Sequence, residues 1–237
     1  ISREKYIRII EGWSNKDIGA YFEKNNIISA KDFMTLSNAP LGQWKFGFAK
    51  PDFLSDAPVK ANLEGYLFPD TYKVAAGVTA EQVINKMLSN FDKKLTPEMR
   101  AEIKRQKKTV YQTVTMASLI EKEVRSTDDM KIVSGIFWNR IKDGQALQSC
   151  ATLAYVLGVN KPQYSIEDTK VDSPYNTYKY RGLPPGPIAN PGFNAINSAV
   201  YPETTNYNYF LSDPATGQTI FSKTLDEHNA NKYKYLK

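Results

Sequence analysis

A chain of 237 residues is long enough for one large domain or two smaller ones around a real apolar core, and no long tract has the composition of a disordered segment. Lys and Arg number 31 against 25 Asp and Glu, and the resulting net charge of +6 suits an anionic surrounding (cell-wall polymer, phospholipid head groups or nucleic acid) as well as it suits a merely soluble surface. One cysteine, Cys150, and one histidine, His228, exclude an internal disulfide framework, a cysteine-rich metal site, a histidine cluster for zinc and a spare histidine for a Ser-His triad.

Residues 4–36 read as strand, turn, helix, helix. Tyr6-Ile7-Arg8-Ile9-Ile10 is β-rich, Gly12 allows a turn, and Ser14 caps a helix that has Asp17 in its first turn and buries Ile18, Tyr21 and Phe22. Ser29 caps a second short helix carrying Phe33, Met34 and Leu36. Residues 37–60, richer in Pro, Gly and Asp, read as a connector that packs through Trp44, Phe46, Phe48 and Phe53. Leu63 to Tyr72 follows, with a turn at Pro69-Asp70; its aromatics form either a platform for a sugar ring or a buried corner. The step Gly12–Ser14–Ile18 returns as Gly77–Thr79–Val83, which means either two small αβ modules or the ordinary look of any capped helix after a strand.

Thr96-Pro97-Glu98 opens a polar helix that runs through Arg105. A central helix covers about residues 110–124. Ser126 or Thr127 caps the next, with Asp128 and Asp129 in its first turn and Ile132, Val133, Ile136, Phe137, Arg140 and Ile141 on its face, ending at Asp143-Gly144. A further helix runs to Gly158. Residues 174–191 are too rich in Pro and Gly for a helix or a central strand, so they form a rigid irregular segment suited to line a groove. A short helix from Phe193 to Val200, a hairpin turning at Asp213–Gly217 and a last helix from Leu225 complete the chain.

The working centre is placed on Thr115–Val124. Val114, Ala117, Ile120 and Val124 form an apolar stripe that runs into Glu121 and Glu123, so charge lies beside the core. Such a carboxylate must be paired, solvated in a cleft or kept protonated. Two residues apart, the glutamates point about 200° apart around the axis, and at most one faces a given cleft. The alternative is a pair of solvated helix-end charges, one of them paired with Lys122 or Arg125. With no phosphate loop, metal-ligand spacing or nucleophile elbow, a glutamate beside a polar, aromatic, Pro/Gly-walled groove is the remaining catalytic inventory, and it fits glycosidic bond cleavage.

A set of motifs, in order, carries a family resemblance. They are Leu63-Glu64-Gly65-Tyr66-Leu67-Phe68-Pro69-Asp70-Thr71-Tyr72, Ala117-Ser118-Leu119-Ile120-Glu121-Lys122-Glu123, Phe137-Trp138-Asn139-Arg140, Leu147-Gln148-Ser149, Tyr175-Asn176-Thr177-Tyr178, Gly182-Leu183-Pro184-Pro185-Gly186-Pro187-Ile188 and His228-Asn229. Together they resemble the YceG-like endolytic murein transglycosylases (the MltG family), and the first 36 residues resemble the LysM-like module that precedes the catalytic domain there.

The resemblance implies an α+β fold: a small LysM-like αβ module and connector at 1–60, then a mixed α/β catalytic domain with a C-terminal hairpin at 61–237. It implies a lyase that cuts nascent peptidoglycan strands internally, between N-acetylmuramic acid and N-acetylglucosamine, and leaves 1,6-anhydro ends without water. No cofactor and no metal is implied. The expected partners are peptidoglycan glycan strands and cell-wall synthesis proteins, with no nucleic acid. The expected place is the outer face of the bacterial plasma membrane. No apolar run is long enough to cross a bilayer and no signal peptide is present, so the chain, which starts at Ile1, is expected to be a processed or truncated piece with any anchor upstream.

Carried over by motif, the catalytic acid is Glu123, with Glu121 as second choice. Gln148, Asn176, Tyr178 and Asn139 are groove hydrogen-bonders or structural residues. Arg140 is expected to pair with Glu121 or Glu123, and Glu64 is a buried structural partner before it is a further acid in the cleft. One departure stands out: the family usually has Asp after Leu-Gln-Ser/Thr, and this chain has Cys150. A non-catalytic glycan-binding or scaffold protein of the cell-wall machinery is the rival reading.

Overall fold

In the computed structural model, which describes residues 4–161 and 164–236, strand β1 (Glu4–Arg8) pairs antiparallel with β2 (Thr71–Ala75). The register sets Ile7 opposite Tyr72 and Lys5 opposite Val74. Ile7, Tyr72 and Val74 are buried, as the alternation of a half-covered strand requires. Between the strands lie α1 (Asn15–Lys24) and α2 (Ala30–Ser37). Ser14 and Asp17 close a reciprocal cap at the start of α1, and Ser29 caps α2. Phe22 of α1 meets Phe33 of α2 edge to face, with ring centroids 5.0 Å apart.

Helix α3 (Ala80–Lys94) has the same kind of cap, Thr79 with Gln82, and buries Val83, Ile84, Met87, Leu88 and Phe91. Gly12 and Gly77 both sit at φ +77°. The echoed strand–turn–helix units are therefore two arms of one sheet, and their pairing joins residues on both sides of position 60. The connector is held by its aromatics, as its composition suggests. Trp44, Phe46 and Phe48 cluster, while Phe53 packs on Tyr66 and Phe91.

The segment from Leu63 to Tyr72 is a buried corner, with Tyr66, Phe68 and Tyr72 all inside, and gives no platform for a sugar. It turns at residues 64–66, where the Tyr66 N–H returns to the Leu63 carbonyl at 3.1 Å. Pro69-Asp70 leads straight into β2. Gly65 is required here. Its φ is +90°, and a Cβ would lie 2.6 Å from Pro187 and 2.8 Å from Val114.

The second part is helical: α4 (Pro97–Arg105), α5 (Val110–Glu123), α6 (Thr127–Lys142), α7 (Cys150–Leu157) and α8 (Phe193–Val200). No strand occurs among the described residues between β2 and β3 (Tyr209–Ser212), so the mixed domain expected over 61–237 is helical from β2 to the C-terminal hairpin. The hairpin of β3 and β4 (Thr219–Ser222) follows, and α9 (Leu225–Tyr235) packs on it.

Helix α5 is the axis of this part. Every residue from Thr113 to Ile120 is buried, so the apolar stripe is only one side of a helix covered all round by α4, α6, α7 and α8. Its hydroxyls are satisfied internally: Thr113 donates to the Thr109 carbonyl, Thr115 to Tyr111 and Ser118 to Thr115.

Candidate active site

The last turn of α5 delivers two carboxylates in opposite directions. Glu121 points to the start of α8, where its Oε2 accepts the Gly192 N–H at 2.9 Å. Burial raises its pKa to about 7, against the lowering effect of that bond, and nearby Glu11 pushes the same way. Glu121 is absent from the walls of both main cavities.

Glu123, half-buried, points to the start of α7. Its Oε1 accepts the Ser149 hydroxyl and the Ala151 N–H, the latter at 3.3 Å. Burial raises its pKa above the ordinary carboxylate value, outweighing the lowering effect of Ser149, Ala151 and the Arg140 charge. Burial thus favours the protonated form, while two donors are in place for the anion that form would leave behind.

Glu123 lines a cavity of about 650 Å³ with Asn15, Asn62, Glu64, Tyr155 and Ile188. A second cavity of about 350 Å³ shares Asn62, Glu64 and Tyr155 with it and is walled by Tyr111, Tyr175, Pro185 and Pro187. The two make a groove between the β1–α1 region and the helical part.

The Pro/Gly segment forms one wall and is pinned to α5 twice. The Ile188 N–H donates to the Ser118 hydroxyl at 3.1 Å, and the Tyr111 hydroxyl donates to the Pro185 carbonyl at 2.6 Å. Its far end is held by Asn190, which is wholly buried. The Asn190 Oδ1 accepts the N–H groups of Gly65 and Leu67, each at 2.9 Å. Its Nδ2 donates to the Trp13 carbonyl and to Glu64 Oε1 at 3.1 Å.

Glu64 lies in the groove and is 8% exposed. Both its oxygens accept the Asn15 N–H, at 3.0 and 3.1 Å. Burial pushes its pKa up to about 8, so it is a neutral acid at pH 7. It is thus a structural partner of Asn15 and Asn190 and at the same time part of the groove wall.

The other residues singled out in the sequence fall in different places. The Tyr178 hydroxyl meets Cys150 Sγ at 3.1 Å, and Cys150 lines the larger cavity beside Glu123. Gln148 is exposed, outside both cavity walls, and held at φ +53° with its N–H on the Thr177 carbonyl. Asn176 is wholly buried and pins its loop through the Thr169 and Val171 carbonyls, so it has no surface for a glycan. Asn139 is also outside the groove and donates to the Thr205 carbonyl. Arg140 pairs with neither glutamate; its guanidinium holds the carbonyls of Leu147 and Asn208 and supplies positive charge near Glu123.

Sequence reasoning missed Ser149 as the partner of Glu123, and Asn62, Tyr155 and Asn190 altogether. Ser149 was visible inside the Leu-Gln-Ser motif and Asn190 in the Asn-Pro-Gly run. Nothing local marks Tyr155, one ring on a short apolar helix.

Comparison with known proteins gives a consistent result. A model of the YceG-like family matches residues 1–234. The endolytic murein transglycosylase of Bacillus subtilis (strain 168) is 40% identical over 178 residues, covering 75% of this chain and 49% of that protein. The endolytic murein transglycosylase of Streptococcus pneumoniae serotype 2 (strain D39 / NCTC 7466) is 37% identical over 196 residues, covering 78% of this chain and 35% of that protein. A crystal structure of a YceG-like protein from Listeria monocytogenes superposes with a TM-score of 0.84 at 35% identity, over 98% of this chain and 77% of that one. The chain spans about half the length of the Bacillus relative and about a third of the pneumococcal one.

Proposed function

The chain belongs to the YceG-like family, and on that premise we propose that it is a lytic transglycosylase that cuts peptidoglycan glycan strands internally, with Glu123 as its acid and base. The observation that carries the reading is the Glu123 carboxyl: half-buried in the wall of the larger cavity, its pKa raised by burial, and provided with the Ser149 and Ala151 donors.

In the proposed reaction, protonated Glu123 gives its proton to the glycosidic oxygen as the bond from C1 of the muramyl sugar to that oxygen breaks. The carboxylate then takes the proton of the same sugar's 6-hydroxyl, whose oxygen forms the new bond to C1. The proton returns to Glu123, the product carries a 1,6-anhydro ring, and no water is consumed. One carboxyl therefore serves both steps, which suits a groove where Glu121 turns away. Ser149 and Ala151 stabilise the transient carboxylate, and Arg140 adds to this at longer range.

Three finer parts of the reading go with it. The order β1, α1, α2, β2 with antiparallel pairing supports a LysM-like module at the start, although its second strand comes after the connector. A strand-cutting role places the protein on the outer face of the plasma membrane, beside cell-wall synthesis proteins. No described helix is long and apolar enough to cross a membrane.

The test is digestion of uncrosslinked glycan strands by Glu123→Gln and Glu121→Gln. The Glu123 variant is expected to lose at least about 100-fold in rate with its fold intact, while the Glu121 variant stays within about threefold. Full activity of Glu123→Gln would overturn the assignment.

A further inference from the structure

The smaller cavity is not needed for the proton transfers, yet it has the features of a built site. Tyr155 is 40% exposed although it stands on α7, whose first residues enter the core. Its ring lies 4.9 Å from that of Tyr175 at a tilt of 42°. Tyr111, Pro185 and Pro187 continue the wall, and the Tyr111 hydroxyl is tied to the Pro185 carbonyl, so the surface is stiff before any ligand arrives. The floor is polar and uncharged. Asn62 accepts the Glu64 N–H on Oδ1 at 2.9 Å, which leaves its amide NH2 to the cavity. Glu64 is protonated at pH 7 and so is a donor as well, while Lys60 stands at the exposed rim.

A flat aromatic wall over neutral donors fits a ligand with one apolar face and an amide or hydroxyl edge. A pyranose ring with an acetamido group is that ligand: its C–H face stacks on tyrosine, and its carbonyl accepts from Asn62 and Glu64. We propose that this second cavity is a sugar subsite, which holds one N-acetylhexosamine ring of the strand away from the bond that Glu123 faces. The two cavities meet at Asn62, Glu64 and Tyr155, so a strand runs from one to the other without leaving the groove. The inference rests on the reading of the groove as a glycan site. Its consequence is that chain length matters: a substrate must reach past Glu64 to be held well.

The experiment measures calorimetric binding of a soluble N-acetylglucosamine oligomer, and of uncrosslinked glycan strands, to Glu123→Gln as the uncleaving parent. Adding Tyr155→Ala is expected to weaken binding at least about fivefold, whereas Tyr155→Phe, which keeps the ring, stays within about twofold. Adding Glu64→Gln keeps binding and removes its decline above about pH 8. In the active enzyme, Tyr155→Ala raises KM with kcat nearly unchanged. Equal affinity of Tyr155→Ala and the parent, or no binding of the oligomer by the parent, overturns the subsite. Binding that depends on Tyr155 in a wild type that cuts no strand sustains the subsite and defeats the catalytic reading; cutting that ignores Tyr155 does the reverse.

Discussion

Burial raises the pKa values of three glutamates, each in a different local setting. Glu121 packs against the start of α8 with Glu11 close by, Glu123 stands half-buried at the start of α7, and Glu64 is held by Asn15 and Asn190 in the groove wall. Glu121 turns away from the groove and Glu64 is tied to Asn15 and Asn190, whereas Glu123 faces the groove with its donors supplied from the start of α7. Glu64 gives a clear sign for the pH dependence of stability. Its pKa rises from 4.5 to about 8 on folding, so between those values the folded chain keeps a proton that the unfolded chain has released. Its contribution to stability is complete below about pH 4.5 and declines as pH climbs to about 8. Glu64→Gln keeps an acceptor for Asn15 and Asn190 and cannot ionise. Its melting temperature should exceed that of the wild type by on the order of 5 °C at pH 8 and match it near pH 4. An equal difference at both pH values would mean that Glu64 is not a neutral acid in the fold.

At the scale of elements, the site depends on irregular backbone held against a buried helix. The Pro/Gly segment has no ladder of its own, and its hydrogen bonds go to Ser118, Tyr111 and the Asn190 hub. Asn190→Ala strands the Gly65 and Leu67 N–H groups inside the protein and should lower stability by about 3 kcal/mol in denaturant unfolding. Gly65→Ala should lower it comparably, because the Cβ meets Pro187 and Val114 at a left-handed φ. A loss under about 0.5 kcal/mol for either would show that the corner and the wall are not joined in this way.

Most helices here were legible in the sequence because their start signals are local. Ser14, Ser29, Thr79, Thr96 and Ser126 all accept the expected N–H. The Glu121–Glu123 divergence was legible for the same reason, since it follows from helix geometry alone. What could not be read is tertiary: that β1 and β2 pair with each other, that α5 is covered on every side, and that Asn176 is a strut rather than a ligand group. Each depends on what lies opposite, and residues such as Tyr155 and Asn62 become site residues only when distant segments meet.

On the scale of the whole molecule, the groove exists because the β1–α1 region, the Leu63–Phe68 corner and the Pro/Gly wall converge on the end of α5. The Gly12 N–H donates to the Asn190 carbonyl, the Asn190 N–H donates to the Trp13 carbonyl, and the Lys122 ammonium donates to the Gly12 carbonyl at 3.3 Å, so the turn after β1 is fastened beside the end of α5. The β1–α1 region therefore supplies a wall of the site through Asn15. The most direct measurement of the central claim is mass spectrometry of wild-type products formed from uncrosslinked glycan strands in heavy-oxygen water. The account predicts shortened strands whose new ends are one water lighter than hydrolysis products and carry no heavy oxygen. Ends that contain the solvent's oxygen, or strands left at full length, would contradict it.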